Sequence, residues 1–509
     1  MSFKKDTPQA DVCLILEGSY PYVAGGVSSW VHDLIQMQPH LHFHLLILLA
    51  PASKRAARYV LPENVIGTTE VTLQRFPKGR AKLARSPLII QRIEPALNRL
   101  MHSGGLCDLA TLLEVFSEYG DELGQRFLLE SRSAWDMLLR MYRQDFSQSS
   151  FLDYFWTWRG LLGGLYSVLK GDLPSAKVYH AVSTGYAGLY LARAKLETGR
   201  AGILTEHGIY TNERRIEIAM ADWLHEDAYL QTMSIIQTRR NIRDLWMHSF
   251  QSYSRACYEA CDKIITLFEG NQNFQLHDGA PKERMEVVPN GIDYGQYASL
   301  TTNKGNPGFV VALIGRVVPI KDIKTYIRAI AQVKEVVPQV RAYVIGPFDE
   351  DPEYFQECQQ LVVHLGISDE LEFTGRVDLM AWLHRIDINV LTSISEGQPL
   401  ALLEAGAAGI PSVATDVGAC REIIEGDKRE QPAGEPGGMI VPLSNPASTA
   451  RAIIRLLSDP LLLKRYGCAM QARVRLYYNK TDLQEKYRAL YQACMDSPND
   501  SSELSKVKA

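Results

Sequence analysis

Apolar runs of strand length alternate with amphipathic helical stretches throughout the C-terminal half of the chain. The run Phe309–Ile314 is uninterrupted, and a helical stretch near 323–336 follows it and ends before Pro338. Short continuous apolar runs are typical of strands buried on both faces, and their alternation with helices predicts a parallel sheet. The pattern therefore predicts a doubly wound α/β domain over residues 306–477. Its further strands are predicted at 340–345, 371–373, 388–391, 412–414 and 439–441, and its further helices near 353–365, 379–385, 399–408, 419–425 and 446–458.

The N-terminal half begins with the same alternation and then changes character. Between about 80 and 170 the chain is rich in Leu, Arg, Glu and aromatic residues and has no convincing strand. We interpret this stretch as a helical insertion in an N-terminal Rossmann-like domain covering residues 1–305. A last amphipathic helix at about 478–496 precedes a polar tail, 497–509, whose composition cannot support a core. Strands are predicted at 12–16, 45–49, 177–181, 202–205 and 263–267, with a helix near 27–37.

Composition excludes several classes of protein. Of 509 residues, 46% are hydrophobic and 22% charged, and 54 Lys+Arg stand against 58 Asp+Glu for a formal net charge of −4. This balance indicates a soluble globular protein of several domains without the basic excess of a nucleic-acid binder. A membrane-spanning helix needs about 20 consecutive apolar residues, and no apolar run in the sequence approaches that length. The eight cysteines are scattered without CxxC spacing, which favours reduced thiols in a cytoplasmic protein over disulfides or a structural zinc.

The segment SEGQPLALLE, Ser395–Glu404, carries the densest chemical signal. It follows the strand predicted at 388–391 and so lies at the carboxyl end of a parallel sheet, where open α/β folds bind ligands. Pro399 suits the first turn of a helix, whose free backbone amides form an anion site. Glu396 and Glu404 could then accept hydrogen bonds from sugar and ribose hydroxyls. An equally good interpretation of this segment alone is that Glu396 stabilises a helix dipole and Glu404 lies on the surface.

Three further loops each follow a predicted strand. Arg316 and Lys321, in GRVVPIK, provide two cations that could stabilise a diphosphate leaving group. Gly25 and Gly26 precede a helix and let a ligand approach free backbone amides. His207 lies in a loop after another strand. Taken singly, these features have ordinary alternatives: surface cations, a turn and a structural histidine.

Taken together in chain order, these loops and segments resemble those of the retaining GT-B glycosyltransferases of family 4, which use an EX7E motif. The segment 15–30, ILEGSYPYVAGGVSSW, is similar to the cytosolic glycosyltransferases of bacterial Pel exopolysaccharide synthesis. The resemblance implies two Rossmann-like domains facing a central cleft, with the terminal helix completing the N-terminal domain. The matching pieces are Gly25-Gly26, His207-Gly208, VPNGID at 288–293, GRVVPIK at 315–321, EGQPLALLE at 396–404 and TDVGA at 415–419.

The same resemblance implies roles for individual residues. Arg316 and Lys321 would bind the donor diphosphate, Glu404 the ribose hydroxyls and Glu396 the transferred sugar, with His207 near the reacting sugar. The donor would be a UDP-sugar and the acceptor a growing polysaccharide, with retention of configuration and without a metal or other cofactor. The implied donor site is completed by Gly397, Pro399, Leu400, Gly25, Gly26 and Arg376, the last of them near the base.

The implied setting is the cytoplasm, with recruitment to an inner-membrane Pel synthase or transport complex and without nucleic acid. Two other functions stay open. One is a nucleotide-sugar epimerase of the same fold, and the other is a non-catalytic nucleotide-sugar-binding subunit of a membrane polysaccharide synthase. The presence of Arg316, Lys321, Glu396 and Glu404 together argues against the subunit. A phosphorylase would need pyridoxal phosphate on a lysine, for which the sequence has no distinctive segment.

Overall fold

The computed structural model describes residues 9–23, 25–51, 56–212, 242–300, 308–427, 430 and 434–496. Their contacts divide them into two compact units. The first unit runs to Thr266 and also includes Gln272–Val287 and the described residues from Tyr487 onward. The second unit comprises Leu267–Asn271 and Val288–Lys486. The predicted domain boundary at residue 305 and the predicted tail at 497–509 lie outside the described residues.

The first unit is built around a parallel sheet. In chain order its elements are β1 (Ala10–Glu17), α1 (Gly26–Gln36), β2 (Phe43–Leu49), β3 (Val65–Thr72), α2 (Ser86–Leu100), α3 (Leu106–Tyr119), α4 (Gln125–Leu128), α5 (Arg132–Met141), α6 (Phe151–Lys170), β4 (Ala176–Ala181), α7 (Tyr186–Thr198), β5 (Ala201–Glu206), α8 (Ile242–Ala260), β6 (Lys263–Thr266), α9 (Glu269–His277) and β7 (Met285–Val287). Within the described ranges the sheet has seven strands, in the order β3-β2-β1-β4-β5-β6-β7. The predicted strands β1, β2, β4, β5 and β6 are confirmed, and the two edge strands are additions.

Helices α2 to α6 lie between β3 and β4 and confirm the predicted helical insertion. Their apolar side chains join the core of the first unit. Trp158 and Tyr166 are fully buried there, so most of the aromatic content of this stretch serves packing. Trp135 and Trp156 are different, since 39% and 60% of their surfaces are exposed.

The second unit confirms the predicted doubly wound domain. In chain order its elements are α10 (Tyr294–Ala298), β8 (Phe309–Ile314), α11 (Ile323–Val336), β9 (Val340–Ile345), α12 (Pro352–His364), β10 (Leu371–Gly375), α13 (Leu379–Leu383), β11 (Ile388–Leu391), α14 (Leu400–Ala407), β12 (Ser412–Thr415), α15 (Cys420–Glu425), β13 (Gly438–Val441), α16 (Pro446–Ser458), α17 (Pro460–Tyr477) and α18 (Lys480–Asp496), which continues into the first unit. The described strands of this sheet run in the order β10-β9-β8-β11-β12-β13. Helix α17 was not predicted; it begins where the Asp459 carboxylate accepts the backbone N–H groups of Leu461 and Leu462.

The end of α18 supplies two buried tyrosines to the core of the first unit. The Tyr491 hydroxyl is 2.7 Å from Nδ1 of His180, and the Tyr487 hydroxyl is 2.8 Å from Oγ1 of Thr205. His180 Nε2 lies 2.9 Å from the same Thr205 oxygen, so the four side chains form one network. Burial, reinforced by the nearby His207, lowers the pKa of His180 to about 3 and keeps the imidazole neutral. No helix in the described part of either unit has the length and apolarity needed to cross a bilayer.

Candidate functional site

The loops that follow β8 and β11 meet in the second unit where the strand order reverses. Lys321 ends the short 3-10 turn Pro319–Lys321 after β8, and Glu396 lies in the loop after β11. Nζ of Lys321 donates to Oε1 of Glu396 at 2.5 Å, and the Ser393 hydroxyl donates to the same oxygen at 2.5 Å. Only 18% and 12% of the Lys321 and Glu396 side chains are exposed. The ion pair therefore occupies the topological switch point, at which doubly wound sheets bind ligands.

A third loop, after β12, packs against the backbone of Glu396 and Gly397, beside this ion pair. Gly418 has φ +53°, and a Cβ atom on it would lie 2.3 Å from the carbonyl oxygens of both Glu396 and Gly397. The backbone N–H of Ala419 donates to the Gly397 carbonyl at 2.8 Å. A side chain at position 418 would therefore displace the glutamate loop, in addition to the strain of a left-handed conformation. The loop TDVGA thus supports Glu396 through the backbone.

Glu404 lies in α14, within the same segment. The helix begins at Leu400, so Pro399 precedes its first residue instead of occupying the first turn as predicted. The Tyr297 hydroxyl donates to Oε1 of Glu404 at 3.3 Å. Burial raises the pKa of Glu404, and the Tyr297 hydrogen bond opposes that rise. A partly buried carboxylate of this kind is suited to accept hydrogen bonds from ligand hydroxyls.

The segment VPNGID, whose sequence alone indicated a turn, forms hydrogen bonds with Gln398 in the middle of SEGQPLALLE. The backbone N–H of Asn290 donates to Oε1 of Gln398 at 2.6 Å, and Nε2 of Gln398 donates back to the Asn290 carbonyl at 3.3 Å. A Cβ atom on Gly291 would lie 2.6 Å from the backbone of Asn479, so glycine permits the close approach of these two segments. The role of Gln398 was not predicted from the sequence, because its partner is a backbone group 108 residues away.

The two predicted arginines are engaged by an acidic loop that follows β9. Nη1 of Arg316 donates to both carboxylate oxygens of Glu350, at 2.5 and 2.8 Å, and Nη2 of Arg376 lies 3.9 Å from Asp349. These side chains are all at least half exposed. Exposed ion pairs of this kind contribute only about 0–1 kcal/mol to the free energy of unfolding. A phosphate could therefore displace Glu350 from Arg316 at small cost. Asp349 and Glu350 were not predicted as site residues, although their position after a strand was a usable signal.

The remaining predicted residues belong to the first unit. Gly25 precedes α1 without a side-chain cap, and a Cβ atom on Gly25 or Gly26 would meet nothing within 4 Å. The backbone at this helix N-terminus is therefore open on its outer side. His207 follows β5, and its ring centroid lies 4.6 Å from that of Trp30 in an edge-on contact. Burial lowers the pKa of His207 to about 4, so the imidazole is neutral at pH 7.

The arrangement offers cations and backbone amides for an anion, and carboxylates for hydroxyl groups. Lys321, Glu396 and Gly397 are brought together by three adjacent loops, and Pro399, Leu400 and Glu404 continue the same segment. Among the residues that the structure describes, no group of three or more His, Cys, Asp or Glu side chains could hold a metal ion.

Comparison with known proteins gives the family. Residues 10–283, more than half of the chain, match the family model described as a domain of unknown function, DUF3492. The chain belongs to the DUF3492 family. Residues 308–459 of this DUF3492 protein match a second model, described as glycosyl transferases group 1.

Curated relatives of this DUF3492 protein match it over parts of their length. A D-inositol 3-phosphate glycosyltransferase of Streptomyces bingchenggensis is 28% identical over 225 residues, which are 41% of this chain and 48% of the relative. An exopolysaccharide phosphotransferase of Streptomyces coelicolor is 32% identical over 216 residues, 41% of this chain and 21% of the relative. The matched region is thus half or less of each relative.

Two solved structures resemble the DUF3492 protein along nearly all of its length. HepE of Anabaena, solved in complex with UDP, has a TM-score of 0.59 at 15% identity and covers 95% of this chain and 100% of its own. Sucrose-phosphate synthase of Thermosynechococcus elongatus has a TM-score of 0.57 at 16% identity, with 95% and 98% covered. Similarity at these identities establishes the fold. The predicted GT-B fold is confirmed.

Proposed function

We propose that the chain is a retaining glycosyltransferase that transfers a sugar from a UDP-sugar to a growing Pel exopolysaccharide, as a PelF-type enzyme. The Lys321–Glu396 ion pair at the switch point of the second sheet carries this proposal. In this pair a cation that could bind a diphosphate lies beside a carboxylate that could accept a hydrogen bond from a sugar hydroxyl, and these two groups together suit a nucleotide-sugar donor. The group 1 match over 308–459 supports sugar transfer, and the UDP in the Anabaena protein supports UDP as the carrier.

Donor activation would rely on cations. As the bond between the sugar and the diphosphate breaks, negative charge develops on the leaving phosphate, and Lys321 and Arg316 would stabilise it. An ammonium group has three N–H donors, so Lys321 can keep its bond to Glu396 while it donates to a phosphate oxygen. No additional metal is needed in this scheme, in which the backbone amides at the start of α14 and Gly397 add to the positive potential.

The other residues would position the two substrates. Glu396 would accept from a hydroxyl of the transferred sugar, and Glu404 from the ribose. The neutral His207 imidazole can both donate to and accept from a sugar hydroxyl, and Gly25 and Gly26 would let a phosphate or the acceptor approach the start of α1. The acceptor hydroxyl would attack on the face from which the diphosphate departs and would pass its proton to the departing phosphate oxygen. Attack on this face retains the configuration.

A donor screen followed by product analysis tests the proposal. Thermal shift with UDP-glucose, UDP-N-acetylglucosamine and UDP-N-acetylgalactosamine should identify the donor that stabilises the chain. That donor should then yield free UDP and a glycoside when a saccharide acceptor is present. An epimerised sugar formed without acceptor would establish the epimerase instead. Binding without any release of UDP would establish the non-catalytic subunit.

The proposed setting is the cytoplasmic face of the inner membrane, with recruitment through a Pel synthase or transport complex. The similarity of segment 15–30 to Pel glycosyltransferases supports it. Co-purification of the chain with membranes from cells that contain the Pel membrane proteins, and not from cells that lack them, is the expected result. Equal recovery from both membranes would contradict recruitment by these partners.

A further inference from the structure

We propose that Tyr297 is a positioning residue for donor binding: its hydroxyl holds one oxygen of Glu404 so that the other oxygen meets the ribose hydroxyls of the nucleotide. This inference rests on the proposed function, because it assigns Glu404 to the ribose. It adds a residue outside the EX7E segment, in the short helix α10, to the machinery of the donor site.

The contact is local and specific. Tyr297 donates to Oε1 of Glu404 at 3.3 Å, and within the described part of the second unit no other side chain hydrogen-bonds to this carboxylate. Tyr297 packs against two apolar clusters whose buried members include Leu403 and Ala405, on the same helix as Glu404. Packing therefore fixes the ring, and the hydroxyl at its tip is the group that reaches the carboxylate.

The segment that carries Tyr297 is itself held in place by several hydrogen bonds. Asn290 exchanges two hydrogen bonds with the Gln398 side chain. The backbone N–H of Ile292 donates to the Tyr478 carbonyl at 2.9 Å, and the Lys480 N–H donates to the Ile292 carbonyl at 2.9 Å. One continuous segment thus fixes both Gln398 and Glu404, so that the position of Glu404 does not depend on its own helix alone.

The protonation states suit this arrangement. Burial, together with the negative charge of Glu404, raises the pKa of Tyr297, so its hydroxyl remains a donor at neutral pH. Burial also raises the pKa of Glu404, and the hydrogen bond from Tyr297 lowers it again. The hydroxyl therefore favours the ionised carboxylate, which has only acceptor sites to offer to ribose hydroxyls.

A thermodynamic cycle with a modified ribose tests the inference. The nucleotides UDP, GDP and ADP are titrated against the wild-type chain by calorimetry, and the tightest becomes the probe, alongside its 2′,3′-dideoxy form. Tyr297→Phe removes one hydroxyl and preserves the ring. It should lower the affinity for the probe about three- to tenfold, which is the range expected for one hydrogen bond. The affinity for the dideoxy form should stay unchanged. At saturating donor, kcat should stay close to wild type while KM rises by the same factor.

Tyr294→Phe is the matched control, because Tyr294 lies in the same helix and its hydroxyl has no partner among the described residues. It should bind both nucleotides like wild type. An equal loss for the ribose and dideoxy forms in Tyr297→Phe, or no loss for either, would overturn the inference and leave the proposed function standing. A wild-type chain that binds none of the three nucleotides would overturn both.

Discussion

Replacing Lys321 by alanine separates what this residue contributes to stability from what it contributes to turnover. In the structure its ammonium group pairs with Glu396 at 2.5 Å, and little of either side chain is exposed. Removal of one partner from a fully buried pair costs about 3–5 kcal/mol, because the other charge is left uncompensated. Here the Ser393 hydroxyl continues to donate to Glu396, and the site retains some exposure. We therefore expect a loss of about 2–3 kcal/mol, which a stability of about 5–15 kcal/mol tolerates.

The expected effect on turnover is much larger. Loss of one group that stabilises developing charge lowers kcat about 10²- to 10³-fold. Lys321→Ala should therefore release UDP from the donor at least 100 times more slowly than wild type, while circular dichroism and the cooperativity of urea unfolding stay native-like. Rates should be measured at saturating donor, so that weaker binding does not enter the comparison.

Two companion variants make this prediction refutable. Lys324→Ala removes the same charge three residues later, from a more exposed ion pair with Glu357 at 2.6 Å, and should keep nearly full turnover. In Lys321→Ala/Glu396→Gln the uncompensated charge is gone, so stability should return to within about 1 kcal/mol of wild type while turnover stays low. Turnover of Lys321→Ala within threefold of wild type, or an equal loss in Lys324→Ala, would refute the assignment of Lys321 to the diphosphate.

Three other perturbations have defined outcomes. Glu404→Gln should raise the donor KM about tenfold in initial-rate measurements, because an amide accepts hydrogen bonds more weakly than a carboxylate; an unchanged KM would contradict the ribose assignment. Gly418→Ala should cost about 1–3 kcal/mol in urea unfolding, more than Gly366→Ala, which has a similar φ of +64° but open space around it. His180 has a folded pKa of about 3, below its unfolded value of about 6.5, so the unfolded state binds more protons in this window and stability falls as pH falls from 6.5 towards 3. His180→Gln should reduce the slope of the free energy of unfolding against pH in this window by up to about 1.4 kcal/mol per pH unit. An unchanged slope would show that the histidine titrates normally.

The central strands could be predicted from sequence because parallel strands inside a sheet are apolar on both faces. Strand β3 lacks this signature: its sequence VIGTTEVT alternates exposed and partly buried positions at the edge of the sheet. Strand β7, at the other edge, has only three residues. A pattern of apolar residues indicates burial, and these two edge strands of the first sheet are not buried enough to produce one.

The candidate site could be predicted only as a set of loops. Each loop follows a strand, and this position at the carboxyl edge is visible in the sequence. The pairing of Lys321 with Glu396 depends on β8 lying beside β11, an order of strands that the pattern along the chain does not determine. The bond between Arg316 and Glu350 was likewise invisible, because exposed ion pairs impose no periodicity on the sequence.

The two buried tyrosines of α18 have a consequence for biosynthesis. Tyr487 and Tyr491 supply hydroxyl groups to the buried His180 and Thr205, which are encoded about three hundred residues earlier. During translation most of the first unit is synthesised before the second, yet the polar groups in its core have these partners only once α18 has left the ribosome. Truncation before Tyr487 should therefore destabilise the first unit, and the 10–283 family segment expressed alone should be less stable than the same residues in the 509-residue chain.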